Sequence, residues 1–134
     1  MNWIGIEELL LIHARVIAAT GGAQGVINTG ALDSALRRPF TAFDGCHLFP
    51  SIIEKVAAMI HSIVAFHPFA DGNKRTALVA GDVVLRLNEL RLIPSDEVEP
   101  FFWSIARGEQ DVPQIAAWLQ THTEQFRSSF GDKT

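Results

Sequence analysis

The stretch SIIEKVAAMIHSIVAF, residues 51–66, decides the fold because it combines a clear helix start with a nearly continuous apolar face. Ser51 and Glu54 form the S-x-x-E pattern of a capping box, in which each side chain bonds the backbone N–H of the other residue. Pro68 biases His67 away from helical angles, so the helix should end near Phe66. Apolar residues recur at the spacing of a central helix: Ile52, Ile53, Val56, Met59, Ile60, Ile63 and Val64.

A second long helix is predicted for NKRTALVAGDVVLRLNEL, residues 73–90, directly after the turn signal Asp71-Gly72. Gly81 within it would allow a neighbour to approach closely, because glycine has no side chain. Asp82 is followed four residues later by Arg86, the spacing of an ion pair on one helix face. Two buried helices are therefore expected, joined by a short connection.

Shorter helices are predicted for residues 6–19, 31–38 (ending at Pro39), 98–108 and 111–126, the last with Asp111 as N-cap and Gln114 as its capping-box partner. Residues 21–30 and 39–50 are loops by their glycines and prolines, Asp44-Gly45 allows a short hairpin, and the tail 127–134 is expected to fray. No strand pair is convincing. The prediction is an all-α fold of about six helices in one domain, residues 1–134.

Composition narrows the functional classes. The chain has 134 residues and a net charge of −4, which argues against a general nucleic-acid surface because such a surface needs a basic face. Cys46 is the only cysteine, so no internal disulfide is possible, and a small half-buried side chain is expected there rather than a nucleophile. No apolar run approaches the ~20 residues of a membrane span and no signal-peptide pattern is present, so a soluble cytoplasmic protein is expected.

The connection HPFADGNKR, residues 67–75, carries the candidate chemistry. Lys74 and Arg75 fall in the first turn of the predicted helix, where the dipole disfavours cations by ~0.3–1 kcal/mol each. The same turn has unpaired N–H groups, Gly72 lets a ligand approach the backbone, and Arg grips phosphate oxygens bidentately. A bound polyphosphate would turn this conflict into attraction, so the pattern predicts a phosphate site.

His67 and Asp71 suit two further tasks at such a site. Histidine exchanges protons readily near neutral pH, so His67 can take a proton from an incoming hydroxyl. Asp71 is a hard oxygen ligand suited to Mg²⁺, which commonly bridges to nucleotide phosphates. Phe69, apolar between polar neighbours, is expected to point into the core and pin the loop. The pattern predicts attack of a hydroxyl on a nucleotide phosphate.

Each residue of the connection also has an ordinary structural interpretation. A histidine after a helix is usually structural, Asp71 or Asn73 could cap the helix, and Lys74 and Arg75 could be solvated. Composition and spacing alone leave function and structure about evenly supported.

These residues resemble the Fic/Doc motif, written H-x-F-x-D/N-A/G-N-K-R in the death-on-curing (Doc) toxin branch, and every fixed position is filled. The likeness extends to TAL after the motif and to GG…G…ALDSALRRP before it. Classical Fic enzymes carry H-x-F-x-D/E-G-N-G-R-x-x-R and transfer AMP. Lys74 here replaces their second Gly and Leu78 their second Arg, and both departures point to the Doc branch.

The resemblance implies a compact all-helical Fic/Doc domain and an enzyme. The implied activity is that of a Doc-like toxin, a Mg²⁺- and ATP-dependent protein kinase that phosphorylates a Thr of elongation factor Tu and arrests translation. By position, the catalytic residues match His67, Asp71 and Arg75, and the phosphate binders match Gly72, Asn73, Lys74 and Arg75, with Asp71 as the Mg²⁺ ligand.

Two alternatives remain open: a Fic-type protein nucleotidyltransferase and an inactive Fic-fold binding module. Intact His67 and Asp71 argue against the module, whereas Lys74 and Leu78 argue against the nucleotidyltransferase. The resemblance also implies a Phd-like antitoxin as partner, with no membrane or direct nucleic-acid partner. Residues 39–50 resemble the flap that covers the site and aligns the target, although an ordinary surface loop fits them equally.

Residues outside the connection receive structural roles. Asp82 is expected to pair with Arg86 rather than to contact a substrate. The remaining histidines show no ligand pair at convincing spacing, and the tryptophans are expected to fill the core or an interface: His13, His47, His61 and His122, and Trp3, Trp103 and Trp118.

Overall fold

The computed structural model describes residues 1–127, and within them lie six α-helices and two short antiparallel sheets. The helices are α1 Ile6–Thr20, α2 Thr29–Arg37, α3 Ile52–Phe66, α4 Asn73–Leu87, α5 Val98–Ala106 and α6 Val112–Thr121. One sheet pairs β1 Ala42–Phe43 with β2 Cys46–His47, and the other pairs β3 Leu90–Leu92 with β4 Thr123–Gln125. The predicted all-α class is confirmed. Of the tail 127–134, which is expected to fray, residues 128–134 lie outside the described residues.

Helix α3 is central and packs against α2, α4, α5 and α6. The predicted capping box forms, since the Ser51 hydroxyl accepts from the Glu54 amide at 3.1 Å and the Glu54 carboxylate accepts from the Ser51 amide at 3.3 Å. Nearly every residue from Ile53 to Val64 is buried, which explains the wide apolar stripe. The helix ends at Phe66, as Pro68 predicts.

Helix α4 approaches α3 closely at Gly81. A Cβ added there would lie 2.9 Å from Ile60 Cδ1, so the predicted close contact is confirmed. The predicted ion pair also forms, with Arg86 Nε donating to Asp82 Oδ2 at 2.9 Å. Asp82 Oδ1 accepts from the Leu92 amide at 3.0 Å and thereby ties β3 to α4.

The expectation that no strand pair forms is wrong. Leu90 pairs with Gln125 and Leu92 with Thr123, and the predicted helices 73–90 and 111–126 stop at Leu87 and Thr121, before this sheet. Each strand has only three residues, too few to show a period of two, and no turn joins them in sequence.

The loop between α2 and α3 contains the hairpin that Asp44-Gly45 allows. Asp44 and Gly45 form its turn with φ of 51° and 80°. Cys46 is exposed rather than half-buried, because nothing is packed over this two-residue strand. The predicted helix end before Pro39 is nearly correct: α2 ends at Arg37 and is followed directly by a 3₁₀ turn, Arg38–Phe40, which contains Pro39. Across residues 1–127 every helix is too short or too polar to cross a bilayer.

Candidate active site

The connection between α3 and α4 has an unusual backbone at both ends. His67 caps the C-terminus of α3 in the left-handed region at φ 49°, which few residues other than glycine adopt. Its side chain is exposed, and within residues 1–127 the imidazole makes no hydrogen bond. The ring is therefore free to meet a ligand, as the predicted role of His67 requires.

Two features of the structure, besides the predicted access to the backbone, favour glycine at position 72, directly before α4. Its φ of 77° favours glycine, and a Cβ there would lie 2.9 Å from Ile17 Cδ1 of α1. Gly72 is the N-cap itself, with no side chain capping the helix. The structural alternative, in which Asp71 or Asn73 caps α4, is therefore not what the structure shows.

The side chain of Asn73 closes the connection on itself. Its Nδ2 donates to the Phe69 carbonyl at 2.9 Å, and its Oδ1 accepts from the Phe69 amide at 3.0 Å. One N–H of Nδ2 remains after these two hydrogen bonds, and the backbone N–H of Asn73 has no partner within the helix. Both groups are available for the predicted contact of Asn73 with phosphate.

Phe69 pins the loop as predicted. It is 0% exposed, and its ring stacks on that of His13 with centroids 3.9 Å apart and planes 7° from parallel. His13 Nε2 also lies 2.9 Å from the Asp71 carbonyl oxygen. Sequence reasoning gave His13 no role, because its partners are more than 50 residues away.

The glycine-rich segment between α1 and α2 lies along the connection and supports it. The Ala70 amide donates to the Gly25 carbonyl at 3.0 Å, and the Ala23 amide donates to Asp71 Oδ2 at 2.7 Å. Gly22 and Gly25 have φ of 113° and 115°, which only glycine adopts without strain. The sequence predicted a loop at residues 21–30 from its glycines, but it did not predict that this loop contacts Ala70 and Asp71.

A cavity of about 390 Å³ opens at the start of α4. Its polar side is the first turn of α4 with the preceding residue, Gly72, Asn73, Lys74 and Arg75. Its apolar side comes from α4 and α5, through Leu78, Val98, Phe102 and Trp103. The structure thus brings the predicted phosphate binders together, whereas His67 and Asp71 do not line this cavity and lie exposed in the loop just before it.

The α4 side of the cavity carries the positive charges, whereas Glu99 of α5 adds one carboxylate to the lining. The first hydrogen bond of α4 runs from Thr76 N to Gly72 O, so the amides of Asn73, Lys74 and Arg75 have no partner within the helix. Two cationic side chains add to these N–H groups and to the positive end of the helix dipole. Such a turn favours a multiply charged anion.

Lys74 is held in place by an aromatic ring. Its Nζ lies 4.1 Å from the centroid of Trp103, a cation–π contact. Trp103 is 50% exposed, so the expectation that it fills the core is wrong, while a role at an interface stays a prediction. The reason is that its side of α5 faces the cavity rather than α3.

The residues present fit a single-carboxylate Mg²⁺ site at Asp71. Oδ2 is held by the Ala23 amide, while Oδ1 makes no hydrogen bond within residues 1–127 and the side chain is exposed. Mg²⁺ commonly takes one or two carboxylates and completes its shell with water and phosphate oxygens. No group of three or more His, Cys, Asp or Glu side chains that could hold a metal occurs in the described part of the chain.

The base of the loop between α2 and α3 is anchored by buried polar contacts. Lys55 is 3% exposed, and its Nζ donates to the carbonyls of Pro39, at 3.3 Å, and Phe49. Arg38 Nη1 lies 2.9 Å from His61 Nδ1, so His61 is a half-buried residue with a hydrogen-bond partner. Burial, followed by the nearby Arg38 charge, lowers the pKa of His61.

Comparison with known proteins gives a consistent result. Residues 3–85, which span α1 to most of α4, match the model of the Fic/DOC family. Toxin Doc of Mycolicibacterium smegmatis is 35% identical over 104 residues, which cover 75% of this chain and 80% of that protein. Protein kinase doc of Escherichia phage P1 is 29% identical over 120 residues, which cover 90% of this chain and 94% of that protein.

Proposed function

The chain belongs to the Fic/Doc family, in its Doc branch, and on this premise we propose that it is a Doc-like toxin that acts as a protein kinase. The proposed reaction moves the γ-phosphoryl group of Mg²⁺-bound ATP to a Thr hydroxyl of a translation factor such as elongation factor Tu. Modification of that factor would arrest translation in the cytoplasm. One relative is named a toxin and the other a protein kinase, and both names support this assignment.

One observation carries the proposal: the cationic first turn of α4 opens into a cavity whose far wall is mostly apolar, with Glu99 as its one acidic side chain among the described residues. Three backbone amides with Lys74 and Arg75 suit a triphosphate, and the side chains of Phe102 and Trp103 suit the apolar faces of a nucleobase. Leu78 lines the same cavity and offers no charge, in contrast to the Arg of AMP-transferring Fic enzymes. This difference favours the kinase over a nucleotidyltransferase.

In the proposed step the Thr oxygen forms a bond to the γ phosphorus, and the bond from that phosphorus to the ADP oxygen breaks. The hydroxyl proton passes to His67, whose exposed imidazole has no competing hydrogen bond within residues 1–127. Lys74, Arg75 and the α4 amides stabilise the phosphate charge. Asp71 would hold Mg²⁺, which when bound neutralises phosphate charge and orients the oxygens.

The proposed partners are a protein substrate and a Phd-like antitoxin. We assign alignment of the substrate to residues 39–50, where Phe43 and Leu48 expose apolar surface on the β1–β2 hairpin. An extended target segment could pair with or lie along such a hairpin. The antitoxin would hold the enzyme inactive through its own helical segment, in an apolar groove of this chain.

The experiment that tests the activity uses ATP carrying radioactive phosphorus at either the α or the γ position. Purified protein is incubated with Mg²⁺ and elongation factor Tu, and label on the factor is measured. We expect γ-label only. Label from the α position would replace the kinase by a nucleotidyltransferase, and no label from either would favour the binding module or a different target.

Matched variants make this experiment specific. His67→Asn is preferred to His67→Ala because Asn tolerates the left-handed backbone of this position yet cannot act as a base. It should abolish labelling. Arg75→Ala should reduce labelling of the factor, because it removes a positive charge from the proposed phosphate site. The control Arg37→Ala removes the same charge from an exposed pair with Asp33 on α2, so labelling should stay at the wild-type level. Persistent labelling by His67→Asn would remove His67 from the mechanism.

A further inference from the structure

We propose that His13 is a positioning residue, whose imidazole fixes the Asp71 carbonyl and the Phe69 ring and so sets the direction of the Asp71 carboxylate. This inference rests on the proposed function, since it gives the loop of residues 67–72 the geometry that the reaction needs. His13 lies on α1, outside the motif, and touches the loop through a hydrogen bond and a ring stack.

The hydrogen bond defines the tautomer of His13. The ring is 3% exposed, and its Nε2 lies 2.9 Å from the Asp71 carbonyl oxygen. A carbonyl oxygen can only accept, so Nε2 carries the proton. The imidazole is therefore a donor that holds the main chain of Asp71.

The ring stack supplies a second restraint on the loop, at Phe69, two residues before Asp71. The imidazole and the Phe69 ring are almost parallel, 7° apart, with centroids separated by 3.9 Å. Phe69 is itself held at its backbone amide and carbonyl by Asn73. One flat side chain with a donor at its tip thus restrains Phe69 through its face and Asp71 through its edge, which neither a leucine nor a phenylalanine could do.

The side chain of Asp71 is restrained from the same direction. The amide of Ala23, just after α1, donates to Oδ2 at 2.7 Å. Gly22 packs closely here, since a Cβ added to it would lie 3.0 Å from Asp71 Cβ. With its carbonyl bound by His13 and one carboxylate oxygen bound by Ala23, Asp71 presents its other oxygen, Oδ1, in one direction. A buried histidine that only filled the core would not bond the main chain of this residue.

The test compares His13→Phe, which keeps the stack and removes the donor, with His13→Gln, which restores an N–H donor near the same place. Amide hydrogen exchange is followed by NMR in the absence of nucleotide. In His13→Phe we expect the amides of Ala23 and Ala70 to exchange about tenfold faster or more, with a smaller acceleration in His13→Gln, which keeps a donor but loses the stack. Unchanged protection in His13→Phe, or equal loss in both variants, would overturn the proposal.

The unmodified protein offers a second readout that needs no variant to fold. In ¹⁵N-labelled protein, His13 should carry a slowly exchanging proton on Nε2, and a proton on Nδ1 in its place would contradict the proposal. Both NMR readouts are independent of catalysis, so a wild type that transfers no label would count against the proposed function alone. Where transfer is seen, His13→Phe should lower kcat about tenfold or more while KM for ATP changes little, and His13→Gln should recover most of kcat.

Discussion

The two loops at the ends of α3 are built in opposite ways. At the C-terminal end, residues 67–72 are fixed by a fully buried Phe69, by the Asn73 carboxamide and by two contacts from α1 and the loop after it. At the N-terminal end, residues 40–48 are all exposed, and Phe43 is 76% exposed. The main chain of the first loop is held by several contacts, whereas the second loop displays apolar surface.

This difference suits the two tasks of the proposed phosphoryl transfer to a protein. Reacting groups act best when they are preorganised, which the contacts that hold residues 67–72 favour. Recognition of an extended protein segment needs exposed backbone and side chains, which the hairpin supplies. Only the base of the hairpin is anchored, through Lys55 and Arg38.

The sharpest contrast is between two phenylalanines. Phe69→Ala should destabilise the protein by about 3–5 kcal/mol, because it removes a fully buried ring and leaves a cavity against His13. Phe43→Ala should change stability by less than about 0.5 kcal/mol, since its ring is already in water. Urea unfolding measures both. Similar losses of stability in the two variants would contradict the difference between the two loops.

Lys55→Met tests whether the exposed hairpin is anchored at its base. The variant keeps the volume of the side chain but leaves the carbonyls of Pro39 and Phe49 without their donor, which should cost about 1–3 kcal/mol. Hydrogen exchange of the Leu48 amide, which donates to Thr41 across the hairpin, should accelerate. The Phe69 amide in the other loop should be unaffected, and acceleration there would show that the two loops are not independent.

Asn73→Ala tests the closure of the rigid loop. It removes two hydrogen bonds to Phe69, so we expect a loss of about 1–2 kcal/mol and faster exchange of the Phe69 amide. Chemical denaturation with amide exchange checks both effects. If the variant binds ATP more weakly while exchange of the Phe69 amide is unchanged, the Asn73 side chain contacts phosphate directly and does not close the loop.

His61 should give the smallest effect, a dependence of stability on pH near the hairpin base. Its pKa is lowered in the folded protein by burial and then by Arg38, with Asp111 opposing, so the unfolded chain binds the proton more readily. The His61 contribution is present above the ordinary pKa of histidine and is lost as pH falls from there through the folded value. Urea midpoints between about pH 7 and pH 5 should fall more in the wild type than in His61→Asn. Equal slopes would exclude His61 as the cause.

Local signals predicted the parts of the fold that depend on neighbouring residues. The Ser51–Glu54 capping box, the end of α3 at Phe66, the Asp82–Arg86 pair and the turn at Asp44 all formed as expected. Each of these depends on residues at most four positions apart, so the sequence contains the whole interaction.

Features that join distant segments were missed. The β3–β4 sheet pairs residues 31 or more positions apart through two three-residue strands. Trp103 reaches Lys74 from another helix, and His13 reaches Asp71 from 58 positions away. Nothing in the local pattern of Trp103 or His13 encodes these contacts, because they arise only when the helices pack. Residues 67–75 could be singled out from the sequence as the candidate site, but the contacts that hold them could not be predicted.

The most direct test of the central claim is the affinity for Mg²⁺-ATP, measured by titration calorimetry on wild type, Arg75→Ala and the control Arg37→Ala. If the start of α4 is the triphosphate site, Arg75→Ala should bind roughly tenfold to a hundredfold more weakly, since a charge-assisted bond is lost. Arg37→Ala should bind within about twofold of the wild type, because its exposed charge is screened by salt. Equal affinity of all three proteins would contradict the account and place the nucleotide elsewhere.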